Sequence, residues 1–286
     1  MLVVRDIPAL RAAIATSRAG GERVAFVPTM GALHAGHRSL LERARAQASC
    51  VVLSIFVNPP QFAPTEDLAK YPRTEAQDLE GAAAAGTTIA FVPAVDVMYP
   101  GIRAVSVVAD TIADRWEGAV RPGHFAGVLT VVAKLFNLVQ PDVAVFGQKD
   151  LQQVTLLQAM VRDLDFPITI DVAPIVREDD GLAMSSRNRY LSAPERVAAR
   201  ALSGALASMT AAFTEGQKDS ERLIAIGETM LHAANVPVDY LSVVEQRRLE
   251  TVAAASAGDF VILAARVGAT RLLDNHCLGD AFPALT

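Results

Sequence analysis

Val24-Ala-Phe-Val-Pro-Thr-Met-Gly-Ala-Leu-His-Ala-Gly-His-Arg-Ser-Leu-Leu41 is the stretch that decides the fold of this chain. Its first four residues form the short apolar run that is typical of a buried parallel strand. We expect Pro28 and Thr29 to end that strand. From Ala35 onward, apolar residues recur at the spacing of an α-helix. A strand followed directly by a helix predicts part of a βαβ unit.

Two histidines, His34 and His37, straddle the predicted start of this helix. Gly31 and Gly36 allow the backbone to approach a ligand closely there. Backbone N–H groups and the positive end of the helix dipole favour an anion, and two imidazoles on the same side would add hydrogen-bond donors. The stretch therefore predicts a phosphate site. Two alternatives stay open: a metal site, which needs more ligands than this pair supplies, and a pair that only caps or packs the helix.

Further apolar runs alternate with helical patterns along the first part of the chain. We predict strands at 51–57, 88–92, 105–108, 143–146 and 168–172, and helices at 8–18, 74–85, 128–139 and 151–163. Such alternation favours a parallel sheet with right-handed crossovers. The predicted fold class is α/β, with a Rossmann-like parallel sheet. The proline-rich loop at 58–64 follows a predicted strand, at the end where such sheets bind ligands.

The sequence pattern changes near residue 175, where we place a domain boundary. We predict helices at 192–213 and 219–234, with Ser192 and Glu195 forming a capping box at the start of the first. Strands of antiparallel type are predicted at 237–244, 260–267 and 270–274, with a hairpin turn at 268–269. We expect a Rossmann-like domain over residues 1–175 and a smaller α+β domain over residues 176–286.

Composition excludes several classes of protein. The net charge is −5 and basic residues do not cluster, which disfavours a nucleic-acid partner. Apolar runs stay below the ~18 residues of a membrane-spanning helix, so no membrane partner is expected. Charged residues and a proline follow the first few residues of the chain, too early for a secretory signal peptide. Cys50 and Cys277 show no zinc or redox spacing, so we expect reduced, structural thiols in a cytoplasmic protein.

Three further segments carry side chains that suit phosphates or a small polar acid. Lys149 lies in the segment 147–150, after a predicted strand, where α/β sheets bind ligands; a surface lysine that caps the sheet edge is the alternative. The hydroxyls and guanidinium of 184–187 match a polyphosphate, although such a turn is also common in solvated loops. Gln61 and Gln153 suit an uncharged polar group or a carboxylate, although loop glutamines are common.

Six motifs follow one another along the chain. They are Val27-Pro-Thr-Met-Gly-Ala-Leu-His-Ala-Gly-His37, Phe56-Val-Asn-Pro-Pro-Gln-Phe62, Tyr71-Pro-Arg-Thr74, Arg121-Pro-Gly-His-Phe-Ala-Gly127, Phe146-Gly-Gln-Lys-Asp-Leu-Gln-Gln153 and Met184-Ser-Ser-Arg-Asn-Arg-Tyr-Leu191. The first alone would suggest only the wider HxGH nucleotidylyl-transferase superfamily. Together the six resemble the pantothenate synthetase (pantoate–β-alanine ligase) family.

This resemblance implies a cytoplasmic homodimer that makes pantothenate from pantoate, β-alanine and ATP. The reaction would pass through a pantoyl-adenylate, use Mg²⁺, and release AMP and pyrophosphate. The C-terminal domain would act as a lid over the N-terminal one. Gln77-Asp78 stands where some relatives have two carboxylates near the magnesium, so the protein ligands to the metal are left open.

The resemblance also implies the site residues, motif by motif. Those assigned to ATP are Met30, Gly31, Ala32, Leu33, His34, Ala35, Gly36, His37, Gly147, Gln148, Lys149, Asp150, Val176, Met184, Ser185, Ser186 and Arg187. Both histidines would contact phosphates, and His37 would be the proton donor. Gln61 and Gln153 would hold pantoate, with Gln61 also near β-alanine. The motifs provide no evident general base for the amine.

Two other functions are compatible with parts of the pattern. A nucleotidyltransferase of the same superfamily could act on a phosphorylated acceptor, but it would need more cationic residues than Pro59-Pro60-Gln61 offers. It would release pyrophosphate with such an acceptor and not with pantoate. A non-catalytic ATP-binding regulator of similar fold would bind ATP without turnover.

Overall fold

The computed structural model of the protein describes residues 1–62, 68–69 and 71–283. The last two residues of the predicted proline-rich loop, 63 and 64, lie outside these ranges. The chain divides into two compact units: unit 1 comprises Met1–Gly147 and Gln152–Ala173, and unit 2 comprises Gln148–Leu151 and the residues from Pro174 onward. The roles expected of the two parts, nucleotide binding and a lid, stay predictions.

Unit 1 is built around a six-stranded parallel sheet. Its strands are β1 (Leu2–Val4), β2 (Val24–Thr29), β3 (Cys50–Ile55), β4 (Ile89–Phe91), β5 (Val143–Gly147) and β6 (Thr169–Ala173). They stand in the order β1-β4-β3-β2-β5-β6. The sheet therefore grows in opposite directions from the β2–β5 pair, and sheets of this kind bind ligands at the carboxyl ends of such a pair. The predicted α/β class with a Rossmann-like sheet is confirmed.

Helices cover both faces of this sheet. They are α1 (Ile7–Ala19), α2 (Ala35–Arg45), α3 (Glu75–Ala84), α4 (Val95–Met98), α5 (Glu117–Val120), α6 (His124–Val139) and α7 (Leu151–Asp163). Successive residues of a strand point to opposite faces, so Phe26 packs in the cluster formed with α1 and α6, and Val27 in that formed with α2. Phe136 of α6 is 1% exposed and makes edge contacts to Phe26 and Phe146. The apolar face of α6 thus packs against the parallel sheet.

Strand β2 continues through Pro28 and Thr29, so the prediction that these residues end it is wrong. The carbonyl of Thr29 accepts a hydrogen bond from the N–H of Phe56, after β3. Because backbone groups alternate in direction along a strand, Pro28 faces the β5 side. Pairing with β5 covers only Ala25 and Phe26. Pro28 is tolerated because its missing N–H removes no ladder hydrogen bond there.

The strand predicted at 105–108 does not form. Val105 and Val108 are 78% and 70% exposed, while the N–H of Val107 donates to the Thr130 hydroxyl at 3.0 Å. The β propensity of valine depends on packing against neighbours, and these exposed side chains lack such packing. Strand β1, which the sequence pattern did not predict, forms instead by pairing with β4 at the edge of the sheet.

Unit 2 packs two helices against a three-stranded antiparallel sheet. The helices are α8 (Ala193–Thr214) and α9 (Ser220–Ala233), and the strands are β7 (Val238–Val244), β8 (Phe260–Val267) and β9 (Thr270–Cys277). The predicted capping box of Ser192 and Glu195 is present, and Gly268, with φ +57°, lies in the predicted hairpin turn. Strand β9 extends three residues beyond the predicted end. The smaller α+β part is confirmed.

Both cysteines are free thiols. Burial raises the pKa of Cys50, and burial together with Asp280 raises the pKa of Cys277 to about 11. Both side chains therefore stay protonated near neutral pH, as expected of structural thiols. Within the described ranges, no helix has the length and apolar character needed to cross a membrane.

Candidate active site

The start of α2 is capped by its own two histidines. His34 is the N-cap residue, and its Nδ1 accepts from the N–H of Gly36 at 3.2 Å. Nδ1 of His37 accepts in turn from the N–H of His34 at 3.4 Å. The two rings lie against each other, with centroids 4.1 Å apart. The predicted placement of this pair at a helix start after a strand is confirmed.

These hydrogen bonds fix the tautomer of each imidazole. A neutral imidazole carries one donor nitrogen and one acceptor nitrogen. Since Nδ1 accepts a backbone hydrogen bond in both rings, the proton of each lies on Nε2. Each ring thus has a donor at Nε2, and N–H donors at a helix start are of the kind that suits phosphate oxygens.

Gln61 lies beside Met30 in a buried network. It ends the single 3₁₀ turn Pro59–Gln61 and is 8% exposed. Its Oε1 accepts from Asn58 Nδ2 at 3.1 Å, and its Nε2 donates to Met30 Sδ at 2.8 Å. The Tyr99 hydroxyl donates to Asn58 Oδ1 at 2.7 Å and thereby orients the amide. Because a thioether is a weak acceptor, the Nε2 group of Gln61 can exchange it readily for a ligand oxygen.

Helix α6 approaches this turn at Gly127. A Cβ atom there would lie 2.6 Å from the Cα of Gln61 and 2.6 Å from the carbonyl oxygen of Pro60. The carbonyl of Gly127 also accepts from Asn58 Nδ2 at 3.2 Å. A glycine is required at this position because only the absence of a side chain permits such an approach.

The ring of His124, the first residue of α6, contacts the backbone of the same turn. Its Nδ1 lies 2.8 Å from the carbonyl oxygen of Gln61, and its Nε2 lies 3.0 Å from Arg121 Nη1. A carbonyl only accepts and a guanidinium only donates, so the proton of His124 lies on Nδ1. The motif 121–127 pointed to this region, but sequence reasoning assigned His124 no role.

In unit 2, the turn Gln148–Asp150 is fixed by an amide from strand β9. Asn275, 3% exposed, donates through Nδ2 to the carbonyls of Gln148 at 3.1 Å and Lys149 at 3.0 Å. Its Oδ1 accepts from Gln148 Nε2 at 3.2 Å. The Lys149 ammonium lies 3.5 Å from the Asp150 carboxylate. Asn275 therefore sets the position of the backbone that carries Lys149, and no local pattern indicates it.

The segment from Val176 to Met184 folds back on itself. The N–H of Met184 donates to the carbonyl of Val176 at 2.9 Å, and Arg177 and Ala183 form an antiparallel bridge. The guanidinium of Arg177 makes two hydrogen bonds, of 2.7 and 3.0 Å, to the buried carboxylate of Asp274. This segment is thus anchored to β9 by a buried ion pair.

The Ser-Ser-Arg segment begins the 3₁₀ turn Ser186–Tyr190. Ser185 caps this turn, since its Oγ accepts from the N–H of Arg187 at 3.2 Å. Asn188 is buried and donates to Glu178 at 2.6 Å and to the carbonyl of Ala183 at 3.0 Å. These contacts make the loop an ordered element of unit 2.

Lys149, Ser185 and Arg187 line one pocket within unit 2. Its other lining residues are Leu182, Ala183, Asn188, Leu202, Arg271, Leu272, Leu273 and Asp274. Three of the lining side chains are cationic and one, Asp274, is a carboxylate. Asp274 is paired with Arg177, and Arg271 is paired with Asp239. Lys149 and Arg187 give this lining a cationic character that suits phosphate oxygens. Sequence reasoning did not find Arg271.

Gln153 lies in the first turn of α7 and is half-buried. Its neighbour Gln152 is 6% exposed, accepts from the N–H of Glu117 at 3.0 Å and donates to the carbonyl of Ile112 at 2.7 Å. The side-chain amide of Gln152 is therefore occupied by hydrogen bonds within unit 1. The assignment of Gln153 to pantoate stays a prediction.

Asp78 stands where the sequence resemblance suggests a carboxylate near magnesium, but hydrogen bonds occupy it. Its Oδ2 accepts from the N–H of Ala32 at 2.9 Å and its Oδ1 from the N–H of Leu33 at 2.7 Å. Within the described ranges, no group of three or more His, Cys, Asp or Glu side chains is arranged to hold a metal ion. Both oxygens of Asp78 are thus directed to the backbone, and the protein ligands to magnesium stay unassigned.

Comparison with known proteins settles the family. A model described as pantoate-beta-alanine ligase matches residues 2–277. The chain belongs to the pantoate–β-alanine ligase family. Among its relatives, the pantothenate synthetase of Sphingopyxis alaskensis is 48% identical over 279 residues, covering 98% of this chain and 100% of that protein. The pantothenate synthetase of Pseudomonas entomophila is 51% identical over 280 residues, 96% of either chain.

Solved structures of the family share the fold. The pantothenate synthetase of Thermus thermophilus superposes with a TM-score of 0.93 at 45% identity, covering 97% of this chain and 99% of that one. The pantoate-beta-alanine ligase of Francisella tularensis, complexed with beta-gamma ATP and β-alanine, gives a TM-score of 0.79 at 30% identity, with 98% of each chain covered.

The family membership decides between the functions considered above. The chain is an enzyme, a ligase that forms pantothenate. A nucleotidyltransferase acting on a phosphorylated acceptor is not favoured, and neither is a non-catalytic regulator. The resemblance carried by the six motifs is confirmed.

Proposed function

We propose that this ligase joins (R)-pantoate to β-alanine through a pantoyl-adenylate, with ATP converted to AMP and pyrophosphate. The observation that carries the proposal is the histidine pair at the start of α2, whose reciprocal caps place the proton of each ring on Nε2. The complex of the Francisella relative with beta-gamma ATP and β-alanine supports the choice of co-substrates.

We assign ATP to two sets of residues. The first is the segment Met30, Gly31, Ala32, Leu33, His34, Ala35, Gly36 and His37. The second comprises Gly147, Gln148, Lys149, Asp150, Val176, Met184, Ser185, Ser186 and Arg187, three of which line the pocket of unit 2. The first set contributes the two imidazoles, and the second contributes the cations Lys149 and Arg187 and the hydroxyls of Ser185 and Ser186, all of which suit a polyphosphate. Mg²⁺ bound to the ATP oxygens would supply further charge neutralisation.

In the first step, a carboxylate oxygen of pantoate attacks the α-phosphorus of ATP and the bond to pyrophosphate breaks. Pantoate is already ionised near neutral pH, with a reference carboxyl pKa of about 4, so the step needs no base. It needs alignment and stabilisation of the charge that develops on the leaving pyrophosphate. His37, predicted as the proton donor, would present its Nε2–H to that group, and Lys149 and Arg187 would add positive charge.

In the second step, the amine of β-alanine attacks the carbonyl carbon of the adenylate, a C–N bond forms, and AMP leaves with the bridging oxygen. Gln61 and Gln153 would hold pantoate throughout, with Gln61 also near β-alanine. The exchangeable Nε2 contact of Gln61 to Met30 supports this role. The amine reacts as the free base, and its reference pKa of about 10 makes this step the more pH-sensitive of the two.

Isotope exchange tests the adenylate directly. The purified enzyme, ATP, Mg²⁺ and labelled pyrophosphate should form labelled ATP when pantoate is present and β-alanine is absent. Addition of β-alanine should then give pantothenate and AMP in equal amounts by mass spectrometry. Exchange that requires β-alanine would contradict a two-step path, and the absence of AMP would contradict the proposed reaction altogether.

We infer that the enzyme is a homodimer in solution. Ile102, Val105 and Val108 are 102%, 78% and 70% exposed, although residues of this size are usually buried. A second copy of the chain that covered them would remove this apolar surface from water. Light scattering should give twice the 30.3 kDa mass of the chain, and Ile102→Glu should lower that mass. A monomeric wild-type protein would refute the inference.

We also infer that the enzyme works in the cytoplasm, where its proposed co-substrate ATP is made and thiols stay reduced. The two free, protonated thiols support this location. Fractionation of the cells, followed by antibody detection, should find the chain with cytoplasmic marker enzymes. Recovery in an oxidising compartment would contradict the inference.

A further inference from the structure

Asp78 joins helix α3 to the loop that precedes α2. Its side chain is 3% exposed, and each carboxylate oxygen accepts one backbone hydrogen bond from that loop, at 2.9 Å from Ala32 and 2.7 Å from Leu33. A buried carboxylate needs such partners, because an unpaired charge away from water is strongly unfavourable. The partners here are two consecutive N–H groups of the segment assigned to ATP.

The loop that Asp78 holds has an unusual backbone. Gly31 has φ +90° and Ala32 has φ +52°, so two successive residues occupy the left-handed region. An alanine adopts this conformation rarely and keeps it only where its surroundings impose it. The hydrogen bonds to Asp78 are such a constraint. Because His34 follows two residues later as the N-cap of α2, the conformation at Ala32 sets where both imidazoles point.

A second residue orients the carboxylate. Thr74 occupies the N-cap position of α3, but its hydroxyl does not cap the helix. It lies 3.2 Å from each oxygen of Asp78 and donates to the carboxylate instead. Three donors therefore surround the two oxygens, and the carboxylate is held in the one orientation that serves both loop N–H groups.

We propose that Asp78 is a positioning residue of the ligase, which fixes the loop 31–33 so that the α2 start and its two Nε2–H groups are preformed for ATP phosphates. The inference rests on the proposed function, since it concerns ATP binding by the same loop. It gives Asp78 a different task from that of a magnesium ligand, because both oxygens are directed to the backbone.

Asp78→Asn tests the proposal, since it keeps the shape but puts an NH₂ group opposite one backbone N–H. We expect kcat/KM for ATP to fall about 10²-fold, with the KM for β-alanine within twofold of wild type. The matched control is Asp171→Asn. Asp171 lies in the same unit and accepts from Arg43, near the other end of α2, at 2.6 and 2.8 Å. It should leave all three substrate KM values unchanged.

Thr74 provides a milder pair of variants that keeps Asp78 intact. Thr74→Val removes the donor and should raise the KM for ATP several-fold, while Thr74→Ser retains the hydroxyl and should restore it. If Thr74→Val and Thr74→Ser lowered the melting temperature without changing the KM for ATP, the role of Thr74 would be purely structural. That result would overturn the proposal. An Asp78→Asn defect that disappears when Mg²⁺ is raised would also overturn it, because it would make Asp78 a cation ligand.

Calorimetric titration with a non-hydrolysable ATP analogue separates this proposal from the proposed function. If the wild type makes no pantothenate but binds the analogue, the proposed reaction is wrong. The affinity of Asp78→Asn for the analogue still tests the role of Asp78. Weaker binding by Asp78→Asn, and not by Asp171→Asn, supports the positioning role. Equal affinities for all three proteins refute it.

Discussion

Replacement of Gly127 by alanine probes the closest approach in the site of unit 1. The added Cβ would meet the Cα of Gln61 and the carbonyl oxygen of Pro60 at 2.6 Å each, and the backbone nitrogen of Gln61 at 2.7 Å. All three are backbone atoms, so no side chain can rotate away. To restore a contact of 3.4 Å from 2.6 Å, α6 and the Pro59–Gln61 turn must separate by about 0.8 Å.

Two opposing effects set the size of the change in stability. Overpacking of this kind costs about 1–3 kcal/mol, and a rigid backbone contact belongs near the upper end. Alanine gains up to about 1 kcal/mol over glycine through helix propensity. We expect a net loss of about 1–2 kcal/mol, which lowers the melting temperature by about 2–8 °C at roughly 2–4 °C per kcal/mol. A displacement close to 1 Å at Gln61 should also lower kcat/KM for pantoate about 10²-fold.

Gly81→Ala is the matched control. Gly81 lies on the exposed face of α3, and a Cβ there would meet no atom within 4 Å. This variant should be as active as wild type and about 0.5–1 kcal/mol more stable. Differential scanning fluorimetry and a coupled AMP assay measure both quantities. A Gly127→Ala protein with wild-type stability and wild-type kcat/KM would refute the packing argument, whereas a stability loss alone would refute only the role of Gln61.

Four other substitutions test further residues of the enzyme. His37→Ala and Lys149→Ala should each lower pantoate-dependent pyrophosphate exchange by about 10²–10³-fold, and unfolding at the assay temperature would instead make the residue structural. Asn275→Ala removes the donor to the part-buried carbonyls of Gln148 and Lys149 and should lower the free energy of unfolding in urea by about 1–3 kcal/mol; an unchanged midpoint would contradict this. The hydrogen bond from Arg196 holds the pKa of Asp180 below its ordinary value, so this pair stabilises the fold above the unfolded pKa of about 4 and less as pH falls further. Below pH 4 the stability of Asp180→Asn should therefore fall less steeply than that of wild type, and parallel curves would contradict the assignment.

The regular part of the fold was accessible from local sequence pattern. Helix α7 begins and ends at the predicted residues 151 and 163, because an apolar periodicity runs between a strand end and a loop. Strand β8 likewise matches the predicted 260–267. Both elements bury a continuous apolar face, which leaves a signal that spacing alone can detect.

Elements whose stability depends on distant partners escaped that approach. The strand predicted at 105–108 failed because valine propensity says nothing about the presence of a neighbouring strand. Strand β1 was missed because three residues at a sheet edge carry little periodicity. Both errors concern pairing across the sheet, which the sequence encodes only through long-range contacts.

The same division holds for the candidate site. The apolar spacing from Ala35 onward predicts a helix start between His34 and His37, and the structure has it. The supports of the site, Asn58, Asp78 and Asn275, are single polar residues whose backbone partners lie elsewhere in the chain. Such a residue has no local signature, because its role depends on which carbonyl or N–H the fold brings to it.

The short pairing between β2 and β5 has a mechanical consequence. Only two residue pairs join these strands, whereas the other neighbours in the sheet share three to six. The sheet thus behaves as two stiff plates, β1-β4-β3-β2 and β5-β6, connected by a narrow hinge. Bending at this hinge strains fewer main-chain hydrogen bonds than bending anywhere else in the sheet. Amide hydrogen exchange should accordingly be fastest, among the central strands, at the carboxyl ends of β2 and β5.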